Sequence, residues 1–291
     1  MPKPKVIVIL GQTATGKSAL AIKIAKKING EIISADSRQI YKGLNIGTGK
    51  ITKKEMRGIP HYLLDVASPK RKFSVAEFQK LAISAMAEIA RRGKIPIICG
   101  GTGFYIDAIT KGIVFPDVPP DNSLRKKLAL VSDRSLMLKL KKLDPKRAQE
   151  IDPKNRVRII RAIEIAMALG KVPKITELKP EYRFVKIGLY LRPEKLKIKV
   201  EARVKKMFHP PAGGGLLNEI KKLKRSGVSD KRLRELGFEY YYPTYEKVVS
   251  ETLKYAKRQM TWFKRDKKIR WFDSSKKADL VKLIDYFCPQ V

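Results

Sequence analysis

Apolar residues along this chain fall into two alternating rhythms. Short runs rich in β-branched residues at positions 6–10, 31–35 and 95–99 have the length of buried strands. Between them, apolar positions recur at helical spacing: residues 19–25 predict a first helix ending near Asn29-Gly30. Ser74-Val75-Ala76-Glu77 is a capping box that opens a second helix, running to about Arg92 and closed by Gly93. Residues 61–66 read as a further short strand, and Pro96 stands at the start of its strand, where a lost amide donor matters least. Strand and helix in alternation predict an α/β fold, a mostly parallel sheet with right-handed crossovers and helices on both faces.

The rhythm changes at Phe115-Pro116-Asp117-Val118-Pro119-Pro120. Strand signals vanish, and helices are predicted at 123–131, 135–143, 145–151 and 156–169, the last closed by Gly170. This reads as a small all-helical insertion domain, residues 116–182, set into a core formed by 1–115 and 183–291. Strand signal returns at 184–191, followed by a basic helix at 195–208 and a break, His209-Pro210-Pro211-Ala212-Gly213-Gly214-Gly215, that no helix can cross. A helix at 216–225, a short strand at 269–272 and a helix at 277–287 complete the pattern, and no internal repeat appears.

The chemistry starts at the end of the first strand. Gly11-Gln12-Thr13-Ala14-Thr15-Gly16-Lys17-Ser18 joins that strand directly to the first helix, the context a phosphate-binding loop requires. Glycines let consecutive N–H groups converge, the helix N-terminus adds partial positive charge, Lys17 adds a full one, and the Ser18 hydroxyl suits magnesium. A polyphosphate ligand follows, of a kind the loop leaves open. Asp36 lies at the C-terminal end of the second strand, beside this loop, where ligands sit in open α/β sheets. It reads as a magnesium-side carboxylate, a general base or a turn-forming residue. Asp65 ends another apolar run and is a candidate second nucleotide-site carboxylate; His61 reads as structural. The polar, glycine-rich stretch 41–50 is a loop that could close over a substrate. Gly100-Gly101-Thr102-Gly103 is a second glycine turn, serving close approach of a ligand or base, or tight helix packing.

Charge narrows the partner. Lys and Arg number 64 against 28 Asp and Glu, a formal net charge of +36 with no single tail to account for it. A polyanion, nucleic acid first, fits such a surplus, with a generally lysine-rich proteome as the alternative. Arg158 and Arg161, three apart on the 156–169 helix and joined by Arg156, form a basic face opposite Ile159, Ile160, Ile163 and Ile165. Residues 232–242 and 257–265 interleave arginine with aromatic rings, which suits an RNA offering phosphates and unstacked bases. The two cysteines, Cys99 and Cys288, have no metal-ligand spacing and predict neither zinc nor a disulfide framework, hence a reducing compartment. No apolar run reaches about 18 residues, so neither a membrane span nor a signal peptide is expected.

Four motifs in order carry a resemblance: the phosphate loop 11–18; Ile33-Ser34-Ala35-Asp36-Ser37-Arg38-Gln39 and its continuation to Thr48; His61-Tyr62-Leu63-Leu64-Asp65; and Gly100-Gly101-Thr102-Gly103-Phe104-Tyr105. Together they resemble the tRNA dimethylallyltransferases, over nearly the whole chain, including the helical insertion and Arg258-Gln259-Met260-Thr261-Trp262-Phe263. The resemblance implies a P-loop NTPase-like core and transfer of a prenyl group from dimethylallyl diphosphate to N6 of adenosine 37 in the tRNA anticodon loop. It implies that residues 11–18 hold the diphosphate, with Mg²⁺ at Ser18, Arg203 on the leaving group and the Thr13 hydroxyl near the bridging oxygen. Asp36 takes the general-base position. Contacts with the anticodon stem-loop fall, by resemblance, on Asp36, Ser37, Arg38, Gln39, Thr102, Arg158, Arg161, Arg234 and Gly237, with the target base flipped from its stack. A cytoplasmic monomer clamping one tRNA is the expected state. Two departures stand out: Glu239 occupies a position where a basic or polar residue is expected, and the His209 break interrupts a stretch that is usually helical. Two other readings share the loop: an adenylate isopentenyltransferase on free nucleotide, which the charge and the insertion disfavour, and an ATP-dependent RNA-binding protein using Asp65.

Overall fold

In the computed structural model, which describes residues 3–210, 214–276 and Leu283, the first apolar run becomes β1 (Lys5–Gly11), with Val6 to Leu10 at most 1% exposed. Its side chains alternate between faces, as a strand buried on both sides requires. Val6, Val8 and Leu10 join one apolar cluster, and Ile7 and Ile9 join another. The chain continues through α1 (Lys17–Lys27), β2 (Gly30–Ser34), α2 (Lys53–Met56), β3 (His61–Tyr62), α3 (Val75–Arg91), β4 (Ile95–Cys99) and α4 (Gly103–Thr110). Ser74 and Glu77 do form the reciprocal cap of α3. Thr52 and Glu55 form a second such cap on the short α2, which the apolar pattern does not predict.

The strand expected at 61–66 stops after Tyr62, because Leu63 and Asp65 take left-handed conformations (φ 62° and 55°) that no strand continues through. The Asp65 carboxylate pairs with Lys50 Nζ at 2.6 Å with the side chain 49% exposed, and Asp65 is not among the residues lining the cavity at the phosphate loop, so nothing in the structure makes it a second nucleotide-site carboxylate.

The Cα positions divide into two compact units, Ile113–Leu178 being the smaller. It opens and closes with the antiparallel pair β5 (Ile113–Val114) and β6 (Thr176–Glu177). Between them lie α5 (Asn122–Ala129), α6 (Asp133–Leu143), α7 (Pro145–Glu150) and α8 (Arg156–Leu169). Asp121, Ser132, Asp144 and Asn155 each cap one of these helices with a side-chain oxygen, and Leu128, Leu136, Leu140, Ile159 and Ile163 pack between them. Glu164, 3% exposed, ties the unit together. It accepts the Asp121 amide at 2.6 Å and the Arg125 guanidinium at 2.9 and 2.7 Å, and it pairs with Arg161. Burial raises its carboxyl, but the bonds from Arg125 and Arg161 outweigh this and hold it below the usual range. Glu164→Ala should destabilise this unit by about 3 kcal/mol, the low end for a broken buried pair because both arginines reach solvent. Hydrogen exchange of the α5 and α8 amides reads the loss directly.

After this unit the chain runs through β7 (Arg183–Tyr190), α9 (Pro193–Phe208), α10 (Gly215–Arg225), α11 (Asp230–Leu236), α12 (Tyr245–Phe263) and β8 (Arg270–Asp273). The break after α9 falls at His209 as the sequence predicts; residues 211–213 lie outside the described residues. So does the helix expected at 277–287, apart from Leu283, which packs among the side chains around Ile24. The sheet order is β3-β2-β4-β1-β7-β8 with every pairing parallel. All six strands therefore point the same way, and the C-terminal ends of β1, β2 and β4 emerge side by side.

Candidate active site

At those strand ends the backbone comes very close to itself. Gly11 has φ +130°, and a Cβ there would lie 2.1 Å from the Leu189 carbonyl oxygen; at Gly100 it would lie 2.2 Å from that of Ala35. Gly16, at φ 83°, is the N-cap of α1. The loop between these glycines is tied down from several sides. Gln12 Oε1 accepts the Leu191 amide at 3.1 Å, Thr15 Oγ1 donates to the Gln12 carbonyl at 2.8 Å, and Lys17 Nζ donates to that same carbonyl. Gln259 on α12 accepts the Thr13 amide at 2.7 Å and donates to the Gly101 carbonyl at 2.9 Å. The second glycine turn thus serves tight packing, since a Cβ on Gly101 would meet Gln259 Nε2 at 2.2 Å.

A cavity of about 610 Å³ opens here, lined by Lys17, Ser18, Asp36, Gln39, Arg203 and Gln259, among others. Asp36 forms the turn that its position predicts: Oδ1 accepts the amides of Arg38 at 2.8 Å and Gln39 at 3.3 Å. Both bonds fall on one oxygen, and Oδ2 takes neither. Thr102 Oγ1 accepts the Ser37 amide at 3.0 Å, joining the ends of β2 and β4. Arg203 reaches across from α9, donating from Nη1 to Thr13 Oγ1 at 3.1 Å and from Nη2 to the Thr48 carbonyl at 2.8 Å. Gln39 Nε2 donates to that carbonyl too, at 3.3 Å. The 41–50 loop, expected as one that could close over a substrate, is packed here as part of the cavity wall, with its own Leu44 and the preceding Ile40 fully buried.

Electrostatically the site favours an anion. Burial lowers the Lys17 ammonium to about 8, helped by the Arg203 charge and opposed by Asp36. Burial also lowers Arg203, opposed by Asp36 and Glu239. Cys99, at the end of β4 beside Lys17, is pushed up to about 11 by burial and is an inert thiol. Burial raises the Glu239 carboxyl to about 7 in spite of Arg38 and Arg203. Of the remaining sequence-predicted residues in this unit, Arg38 donates from Nη1 to the Glu235 carbonyl at 2.8 Å. Arg234 is exposed, its guanidinium 4.2 Å from the Tyr241 ring centroid. Gly237 takes φ +156°, and a Cβ there would meet Glu239 Oε2 at 2.5 Å. In the smaller unit Arg158 is exposed on α8. Arg161 is occupied by Glu164 and the Val118 carbonyl, and Arg156 by Asp133 and the carbonyls ending α5.

The family model described as IPP transferase matches residues 39–266. The chain belongs to the IPP transferase family. A tRNA dimethylallyltransferase of Anoxybacillus flavithermus is 41% identical over 286 residues, covering 92% of this chain and 90% of the relative. That of Bacillus subtilis is 39% identical, covering 96% and 93%. Among solved structures, the tRNA isopentenylpyrophosphate transferase of Bacillus halodurans superposes with a TM-score of 0.71 at 35% identity, covering 98% of this chain and 95% of that one. A eukaryotic dimethylallyltransferase acting on tRNA gives 0.75 at 28% identity, covering 94% and 75%. As an IPP transferase, the chain has the parallel α/β core that its apolar rhythm predicts. Sequence reasoning missed Thr48, Gln259, Glu219 and Tyr255, all at or behind the cavity wall. Thr48 and Gln259 stand inside the quoted motifs, so position alone marked them; Glu219 and Tyr255 carry no local signal.

No group of three or more His, Cys, Asp or Glu side chains among the described residues is arranged to hold a metal. Ser18 and Asp36 instead offer oxygen donors at one cavity. A magnesium ion that keeps several waters and shares substrate phosphates fits such a sparse oxygen set.

Proposed function

We propose that this chain transfers a dimethylallyl group from dimethylallyl diphosphate to N6 of adenosine 37 in the anticodon loop of tRNA, releasing diphosphate. The observation that carries the reading is a single cavity in which the phosphate loop, Arg203 and the Asp36 carboxylate converge. Such a cavity joins a site for a polyphosphate leaving group to a carboxylate placed to take a proton from an acceptor, the two groups that transfer from a diphosphate to an amine requires.

In this reading the amides of residues 11–18 and Lys17 hold the diphosphate, while Arg203, oriented by Thr13 and Thr48, lies against the bridging oxygen side. The N6 amine forms a bond to C1 of the prenyl group as the C1–O bond breaks, and that bond's electron pair leaves on the diphosphate. Asp36 accepts the N6 proton through the oxygen not used in its turn. Negative charge grows on the leaving group, which Lys17 and Arg203 stabilise in an enclosed site. Ser18 would hold Mg²⁺, which would neutralise diphosphate charge. Asp36, Ser37, Arg38, Gln39, Thr102, Arg234 and Gly237 contact the tRNA, and Arg158 and Arg161 lie on a second contact face. The chain works in the cytoplasm as a monomer on one tRNA. Among the described residues no helix is long and apolar enough to cross a membrane.

The test uses purified protein, Mg²⁺ and radiolabelled dimethylallyl diphosphate with unmodified tRNA, AMP or ATP in parallel. Label should enter tRNA and stay out of AMP, without phosphate release from ATP. Label in AMP alone, or ATP hydrolysis without prenyl transfer, overturns the reading.

A further inference from the structure

Glu219, on α10, is a buried carboxylate, 8% exposed, that the mechanism above does not use. Four donors converge on it. Oε2 accepts the amides of Asn45 at 2.9 Å and Ile46 at 2.7 Å; Oε1 accepts the Gly47 amide at 3.1 Å and the Tyr240 hydroxyl at 2.9 Å. Three consecutive amides turned onto one anion form a backbone nest. Burying a carboxylate is costly without such bonds, so the arrangement defines one geometry for the 44–49 segment and penalises every other.

That segment is stiff from end to end. Thr48 Oγ1 donates to the Leu44 carbonyl at 2.7 Å, the Gly49 amide to the Ile46 carbonyl at 3.0 Å, and the Lys50 amide to the Asn45 carbonyl at 2.8 Å. Gly47 lies against Tyr240, since a Cβ there would sit 2.6 Å from the ring. At the cavity end the Thr48 carbonyl takes Arg203 Nη2, and a Cβ on Gly49 would lie 2.5 Å from that same nitrogen. Arg203 is thus trapped between this wall and the Thr13 hydroxyl. A guanidinium has five N–H donors, and the bonds to Thr13 and Thr48 leave others for a ligand.

We propose that Glu219 is a positioning residue for the transfer reaction: by clamping the 44–49 segment it sets the Thr48 carbonyl, and through it aims the Arg203 guanidinium at the diphosphate. This rests on the prenyl-transfer reading above. Glu219 touches no substrate; its effect on the transfer step passes through the Thr48 carbonyl to Arg203, bonded at 2.8 Å, with Gln39 on the same carbonyl at a longer 3.3 Å.

The experiment is a double-mutant cycle in the tRNA prenylation assay. In Glu219→Gln the amide nitrogen faces the Gly47 N–H, donor against donor, so the segment shifts while the side-chain volume is kept. A displacement of this size should lower kcat by about 10- to 100-fold, leaving KM for tRNA unchanged. In an Arg203→Ala background, followed by single-turnover transfer, the same substitution should cost nothing further within about twofold. Tyr240→Phe removes one donor and keeps the packing; its smaller loss should likewise disappear in the Arg203→Ala background. Equal losses in both backgrounds from either variant, or no loss from either, overturn the proposal. If the parent protein does not prenylate tRNA at all, the transfer reading itself has failed, which the unmutated control reports separately.

Discussion

Replacing Asp36 with asparagine is expected to lower kcat for prenyl transfer by about 10²- to 10⁴-fold while both KM values stay within about threefold. The asymmetry in the bonding of Asp36 makes this variant informative. The Arg38 and Gln39 amides are both held by Oδ1, and an asparagine carbonyl can still accept both, so the turn, the Ser37–Thr102 bond and the wall of the cavity are kept. What is lost is a basic oxygen facing the acceptor amine. Single-turnover transfer with saturating tRNA separates this from a binding defect. If Asp36→Asn keeps kcat within tenfold while Asp36→Ala abolishes it, Asp36 is a turn-former and the base lies elsewhere. Of the three roles its position in the sequence leaves open, the structure shows the turn directly; the variant decides whether catalysis is added to it.

The parts of this protein that could be read from its sequence share one property: their signals are local. β1 shows as five consecutive apolar residues, α3 as a capping box spanning four positions, and the phosphate loop as eight contiguous residues in the right context. The strand expected at 61–66 failed for an equally local reason. Two left-handed residues there are non-glycine types, Leu63 with no composition cue for that conformation and Asp65 with only a weak one, and with them went the expectation that Asp65 reaches the nucleotide site. The bonds that shape the cavity are of another kind. Gln259 reaches Thr13 across 246 residues, Arg203 reaches Thr13 across 190, and Glu219 reaches the Asn45 amide across 174. Neither period nor spacing encodes a contact between α12 and the first loop of the chain. Arg203 could be singled out only by family resemblance. Glu239, which stands apart from the family pattern in sequence, becomes intelligible only in three dimensions, as a carboxyl raised by burial between two arginines and Asp36.

Lys17→Ala should reduce kcat/KM for dimethylallyl diphosphate by about 10²- to 10³-fold, the usual loss when one preorganised donor to a developing anion is removed. The pH profile of the parent protein gives an independent check with a definite sign. Burial is the largest influence on Lys17 and lowers its ammonium from 10.5 to about 8 in the free protein. Below pH 8 the lysine is charged and the site is complete, so this group leaves kcat/KM for the donor flat; above pH 8 the fraction charged falls tenfold per unit, and kcat/KM falls with it. Free-protein ionisations govern kcat/KM, whereas bound diphosphate restores the charge, so kcat itself should decline only at higher pH. Lys17→Arg removes this limb, because arginine stays protonated throughout, although its fork does not reproduce the lysine's contact and the absolute rate is lower. Stability moves the opposite way. Between pH 8 and 10.5 the unfolded chain holds a proton on Lys17 that the folded chain has released, so the contribution of this group to stability rises with pH across that window. Thermal melts of parent and Lys17→Met at pH 7.5 and 10 measure it: the variant should be the more stable by a margin that narrows at the higher pH. Activity and stability pulling apart on one side chain is what a buried cation kept for its ligand should show. A margin that does not narrow would mean that the ammonium is solvated in the free protein and that the alkaline limb belongs to another group.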